Sequence, residues 1–199
     1  GGSGRVGLTV TGANTLLNHT ANAISSTSGA VTLTSDKMAL SGGTINTGAG
    51  GVTLRETTLT NAINLGSGAE LASNTLELSD LELATVNTSG TLTIGNVNQT
   101  GAITVSAAVA TNPTGGVGSA TVLANKTGGI TISNVLTSGN GTNALTLTAD
   151  GGTGAAGSIT DAAGTTGVKA GLLTTTSNGG TSLTGSGNAV TSFNATNAG

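Results

Sequence analysis

Cysteine, tryptophan and tyrosine are absent from the 199 residues. Phe193 is the single aromatic residue, Pro113 the single proline, Met38 the single methionine and His19 the single histidine. Without aromatics a thick enzyme-like core is not expected, only a thin one lined by Val, Ile, Leu and Ala. Absence of cysteine fits a product exported through an oxidising periplasm, and fits a cytosolic protein equally well. Charge is scarce too: 7% of residues are charged and the net charge is -3. The five cations, Arg5, Lys37, Arg55, Lys126 and Lys169, are scattered along the chain. No patch therefore neutralises several phosphates and no aromatic platform stacks on bases, so nucleic acid is not an expected partner. No run of 18 apolar residues occurs, and no transmembrane helix is expected. The opening GGSG lacks the charged start and apolar stretch of a signal peptide and reads as an added scar or the cut edge of a longer chain.

What is plentiful is glycine, at 35 residues, together with Thr, Ser and Asn. Such a mixture raises disorder as an alternative. Disordered chains combine low hydrophobicity with high net charge, whereas here the mean hydropathy is +0.21 and the apolar residues alternate. Period-two alternation recurs at 8–12, 30–35, 51–56, 75–80, 91–96, 102–107, 129–134 and 144–149. Two apolar side chains on one face and Thr, Ser or charge on the other are the pattern of a half-buried strand. Gly, Asn and Ser clusters separate these runs and supply turns. Sustained helical periodicity is missing. One local exception is LSDLELATV (78–86), where Ser79 and Glu82 have capping-box spacing; two strand pieces bent at Ser79 and Asp80 fit the same residues.

Starts at 8, 30, 51 and 75 are separated by roughly twenty residues, longer than hairpin spacing and typical of a solenoid. Coils of about twenty residues stacked at ~4.8 Å predict an all-β parallel β-helix of about ten coils, roughly 45 Å long. The whole span 1–199 is then a single shaft-like unit, with an irregular coil or loop around 108–129 where the lone proline breaks the spacing. In such a stack Asn96, Asn98, Asn134 and Asn140 are expected at turns, where amides form hydrogen-bonded ladders.

The runs GGVTLRETTLTNAINLGSG (50–68), LELSDLELATVNTSGTLTIGN (76–96), GAITVSAAV (101–109) and GLLTTTSNGGTSLTGSGNAVTSF (171–193) resemble the repeats of filamentous-haemagglutinin-like exoproteins. That resemblance covers roughly residues 28–196. It implies a right-handed parallel β-helix, an extracellular or bacterial cell-surface location, and a shaft used for adhesion, biofilm or toxin delivery. Neither the family's secretion domain nor a receptor-binding tip is evident, so the span looks like an interior piece of shaft. Expected partners are neighbouring repeats of the same parent chain or identical subunits end to end, and beyond them surface glycans or proteins. Residues 8–22 and 182–197 are also similar to each other, which suggests a longer unit repeating along a parent chain.

The alternative is a polysaccharide-binding or polysaccharide-cleaving β-helix, which would need clustered carboxylates. Among the eight acids only Glu77, Asp80 and Glu82 are close in sequence, and strand parity puts Glu77 opposite the other two. They read as solvated surface charge. His19, with no Cys or Asp at ligand spacing, reads as a surface or turn residue. The stretch DGGTGAAGSITDAA (150–163) has the glycines of a calcium roll but Ala155 where the Asp belongs. TLT motifs begin at 32, 58, 91 and 146, and no single coil length divides the gaps. An in-register Thr array of the ice-binding kind is thus not expected, and the threonines read as strand formers. Six Asn-x-Ser/Thr sequons fall at Asn18, Asn87, Asn98, Asn125, Asn140 and Asn194. No catalytic, cofactor-binding or metal-ligating set is expected; the sequence reads as a non-catalytic structural segment.

Overall fold

The computed structural model describes residues 4–111, 119–151 and 156–197. Alternation decides the local structure. In Val52–Arg55 and Ala144–Ala149 the Val and Leu side chains are buried and the Thr side chains between them are not. Short runs of this kind form strands because β-branched and apolar residues pack well on a pleated, half-buried surface.

The first circuit of the chain lays down β1 (Val6–Thr9), β2 (Leu16–Asn18) and β3 (Ala23–Ser25), one strand on each of three faces. A second circuit repeats the order with β4 (Val31–Thr34), β5 (Lys37–Ala39) and β6 (Thr44–Asn46). The third departs from it. After β7 (Val52–Arg55) come β8 (Ala62–Leu65) and β9 (Thr75–Leu78), side by side on the second face. The short helix α1 (Asp80–Leu83) and β10 (Val86–Asn87) complete it. Regular circuits resume with β11 (Thr91–Gly95), β12 (Ile103–Val105) and β13 (Val109–Thr111), then β14 (Ala120–Asn125), β15 (Ile130–Ile132) and β16 (Val135–Ser138). Next come β17 (Ala144–Ala149), β18 (Ile159–Asp161) and β19 (Gly167–Ser177), which runs through the corner from the third face to the first. Finally β20 (Thr181–Ser182) precedes β21 (Ala189–Asn197), which crosses the same corner.

Every strand pairing among the described residues is parallel. The fold is thus all-β, built of long parallel sheets stacked circuit on circuit, an arrangement consistent with a β-helix. Register is strict. On the first face one inward column runs Val6, Val31, Val52, Leu92, Thr121, Leu145, Leu173, Phe193. The next inward column contains Leu33, Leu54, Ile94, Leu123 and Leu147, all with no exposed surface. Ile63, Ile103, Ile130 and Ile159 make the matching column of the second face. Burying each of these side chains contributes about 1.5–3 kcal/mol, which is how a core without aromatics coheres.

Leu92, Ile94, Ile103 and Val105 are all fully buried, and the corner Asn96–Gly101 carries the chain between β11 and β12. The first face holds eight strand segments among the described residues, where a twenty-residue spacing led to about ten coils. Corners of unequal length explain the difference: Val52 and Leu92 are stacked neighbours although the third circuit lies between them. Eight levels at ~4.8 Å span roughly 34 Å. The irregular segment expected over 108–129 begins and ends in the in-register strands β13 and β14, while its centre, 112–118, lies outside the described residues. Ala155 also lies outside them. The two similar segments, 8–22 and 182–197, sit at opposite ends of the stack.

Unequal corners also bring several threonines into register that the spacing of the TLT motifs does not connect, without making the two-column array that was not expected. Thr32, Thr53, Thr93, Val122, Thr146, Thr174 and Asn194 form one outward column in register. Its neighbour contains Thr34, Arg55, Gly95, Ala124, Thr148, Thr176 and Thr196, and is broken at three successive levels by Arg55, Gly95 and Ala124. What results is one threonine column, not a two-column array.

Corners stack as strands do. Asn125 Nδ2 donates to the Gly101 carbonyl at 2.6 Å, Asn125 Oδ1 accepts from Gly128 N at 2.8 Å, and Gln99 Nε2 donates to the Asn61 carbonyl at 3.3 Å. Gly101 lies so close over the Asn61 backbone that a Cβ there would collide with its carbonyl, so the corner requires glycine. The corner amides that bridge circuits are thus Gln99 and Asn125, each donating to a backbone carbonyl of the preceding circuit; they form no side-chain amide ladder, and Asn61 Nδ2 and Gln99 Oε1 have no partner. Asn96, Asn134 and Asn140 each accept a bond from a residue one or two positions on, at Asn98 N, Val135 N and Thr142 Oγ1.

Candidate functional site

Carboxylates are few, so each one's surroundings can be followed. Asp36, at the corner after β4, is fully buried. Its Oδ1 accepts from Thr57 N at 3.0 Å and Thr58 N at 2.8 Å; its Oδ2 accepts from Thr58 Oγ1 at 2.9 Å and Asn14 N at 3.2 Å. Burial pushes this carboxyl up, but four donors outweigh burial and hold it below the usual carboxylate range. Glu56, one circuit on, is 1% exposed, and neither oxygen meets a donor beyond its own backbone. Burial, with the Asp36 charge adding to it, pushes Glu56 up to about 7.

A second group surrounds α1. Ser79 caps the helix, and the reciprocal capping box forms: Ser79 N donates to Glu82 Oε2 at 2.9 Å and Ser79 Oγ accepts from Glu82 N at 3.3 Å. Glu82 Oε1 accepts from Leu40 N at 3.1 Å, which ties the helix to the circuit below. Glu77 accepts from the Ser67 hydroxyl and from Ala72 N; burial raises its carboxyl, but these bonds prevail and hold it below its usual range. Asp80 turns away from both, accepting from Ala110 N of β13 at 2.7 Å.

Glu77 and Glu82 instead converge on Glu70, a residue sequence proximity did not single out. Burial, then the charges of Glu82 and Glu77, push Glu70 up to about 7, with Lys37 opposing. Lys37 Nζ donates to the Glu70 carbonyl at 2.5 Å. Glu77, Asp80 and Glu82 were expected as solvated surface charge. Glu77 and Glu82 are 5% and 4% exposed, because the detour from β8 to β9 folds its own loop over them. Among the described residues no three of His, Cys, Asp or Glu are placed to hold a metal. His19 lies at the first-circuit corner after β2, partly exposed.

Asparagines of the sequons separate into two kinds. Asn18, Asn87, Asn98, Asn140 and Asn194 are exposed, whereas Asn125 is fully buried, bonded to the backbone of Gly101 and Gly128.

The most exposed large apolar residues, Leu71, Leu81 and Val97, stand on corners and on α1, and further exposed ones stand on the first and last circuits. Leu8 and Phe193 belong to inward columns yet are 42% and 54% exposed, because each stands on a terminal level. One end presents Leu8, Val10, Leu16, Leu17 and Ile24 around a shallow hollow. The other presents Leu173, Leu183, Val190 and Phe193. Among the described residues β1, β2, β3 and β20 each have a single strand partner, and β21 pairs with β19 alone. No helix of the described residues is long and apolar enough to cross a membrane. Compared with protein-family models, curated proteins and solved structures, the chain finds no match in any of the three.

Proposed function

We propose that this chain is a non-catalytic segment of a right-handed parallel β-helical shaft in a large exported bacterial surface protein of the filamentous-haemagglutinin-like type. Its task is to extend and to cohere, carrying adhesion, biofilm or fibre formation outside the cell. The observation that carries this reading is the all-parallel stacking of circuits, with the inward column of the first face in register through eight levels. Cohesion by stacking needs nothing from the outward side chains, which accounts for their predominance of Thr with scattered Val, Arg, Gly and Ala.

Polysaccharide cleavage, the competing reading, asks for carboxylates free to meet a substrate. Glu77, Asp80 and Glu82 instead spend their oxygens on backbone and hydroxyl donors of the scaffold.

A circuit deletion tests the shaft. Removing residues 145–172 places Leu173 directly on Thr121 in the first-face column and keeps every other column in step. The shaft reading expects a folded, cooperative β-protein of seven levels, and no release of reducing ends from a polysaccharide panel by either form. Polysaccharide turnover by the intact chain, lost in Glu77→Gln, would replace this reading with the enzymatic one.

A further inference from the structure

We infer that the third circuit, residues 52–87, opens as a unit of its own when its buried carboxyls ionise, while the circuits on either side of it stay stacked. This uses the stack of circuits alone and holds wherever the shaft serves. Unsatisfied polar groups collect in this circuit. Among the described residues eight buried side-chain polar atoms have no hydrogen-bond partner. Six of the eight belong here: both oxygens of Glu56, both of Glu70, Asn61 Nδ2 and Asn64 Oδ1. A seventh, Gln99 Oε1, lies on the corner that stacks on Asn61. Native interiors leave few such groups, because each keeps the cost of its lost water. One circuit thus carries nearly all of that cost, and regions of low local stability open ahead of the whole.

Charge collects in the same place. Five of the chain's eight acids fall within 52–87, where Arg55 is the one cation. Glu56 feels Asp36 from the second circuit and Arg55 from its own strand, and the corner stacked above it, 96–101, has no charged residue. Glu70 feels Glu82 of α1 and Glu77 of β9, with Lys37 of β5 opposing them. Asn64 gives no relief, since it stacks on Glu77 with an acceptor of its own unpaired. Glu70 is also held at φ +53, a left-handed conformation that disfavours a residue with a side chain. Neutral, Glu56 and Glu70 are tolerable buried groups. Ionised, each is a buried charge without a hydrogen-bond donor, and opening returns it to water. Both titrate at about 7 in the closed circuit, against 4.5 for an unperturbed glutamate. The closed circuit therefore holds its protons more tightly than the open one. Opening grows more favourable as pH rises from about 4.5 to about 7, and no further above that.

Hydrogen exchange read by mass spectrometry on the whole chain tests this. The fifth circuit, 120–138, is the internal reference. It too has a circuit on each side, Lys126 is its one charge, and none of its buried polar side chains lacks a partner. Exchange is divided by the intrinsic rate at each pH to give the extent of opening. Opening within 52–87 should rise at least tenfold from pH 5.5 to pH 8. At pH 8 it should exceed opening within 120–138 at least tenfold. Glu56→Gln/Glu70→Gln keeps both shapes and removes both charges, and should reduce the rise to less than threefold. The pH series on the parent chain stands without the variant. Equal opening in the two circuits at pH 8 means that the chain unfolds only as a whole, and overturns the inference. No rise with pH, or a rise that survives in the double variant, overturns it too. Protection missing from both circuits at pH 5.5 refutes the stacked shaft along with it.

Discussion

Glu56 is a carboxyl placed where a shaft has no use for charge, and its cost should be measurable. It titrates at about 7 in the folded chain, against 4.5 for an unperturbed glutamate. Because the folded value is the higher one, the unfolded chain releases its proton first, and stability falls as pH rises from about 4.5 to about 7. At roughly 1.4 kcal/mol per pH unit between the two values, the loss approaches 3 kcal/mol and then levels off. Glu70 titrates in the same window but is partly exposed, so solvent screening reduces its share. Asp36, Glu77 and Asp161 act in the opposite sense. Burial raises each, hydrogen bonds lower each further, and the stability they contribute is lost only in acid, below the usual carboxylate range. Urea unfolding followed by circular dichroism from pH 4 to 8 reads both effects. Glu56→Gln keeps the shape and removes the charge; it should raise stability at pH 8 by about 2 kcal/mol and flatten most of the decline. A slope between pH 4.5 and 7 that is the same in Glu56→Gln as in the parent refutes the assignment.

Three further outcomes follow from the packing. Ile94 is sealed between Leu54 and Leu123, so Ile94→Ala should cost about 3 kcal/mol in urea unfolding, and an effect under about 1 kcal/mol contradicts the sealed column. Gly101→Val drives a side chain into the Asn61 carbonyl and should cost about 2 kcal/mol or more, against a few tenths for the same change at Gly4, whose Cβ position is open. Asn125→Ala leaves the Gly101 carbonyl and Gly128 N–H without their partner and should cost about 1–3 kcal/mol; mass mapping after glycosyltransferase treatment of the folded chain should find Asn98 and Asn140 modified and Asn125 bare.

The eight alternating runs were legible in the sequence because period-two burial depends only on nearest neighbours, and each of the eight contains a strand. The helix was legible only as one of two readings: Ser79 and Glu82 carry a capping signal, but two strand pieces bent at Ser79 and Asp80 fitted the same residues, and stacking decided between them. What spacing concealed was which runs stack on which. The runs at 75–80, 102–107 and 129–134 lie on the second face, not the first, so the distance between successive runs is not the length of a circuit. Threonine register was hidden for the same reason. Glu70 and Glu56 went unremarked because the partners that make them unusual, Glu77 and Glu82 for one and Asp36 for the other, are brought close by stacking and not by sequence. Gln99 and Asn125 bond the backbone of Asn61 and Gly101 across corners of unequal length, and no fixed period in the sequence connects these pairs.

Everything above depends on residues far apart in sequence standing one strand apart in space. Spin labels on Thr32→Cys and Thr174→Cys test this directly, since no other cysteine competes for the label. The two positions lie in one outward column with five strand-to-strand steps between them. At ~4.8 Å per step their backbones are roughly 24 Å apart. Pulsed dipolar spectroscopy should return a narrow distribution near that distance. A broad distribution, or one centred beyond about 40 Å, would contradict the stacked register.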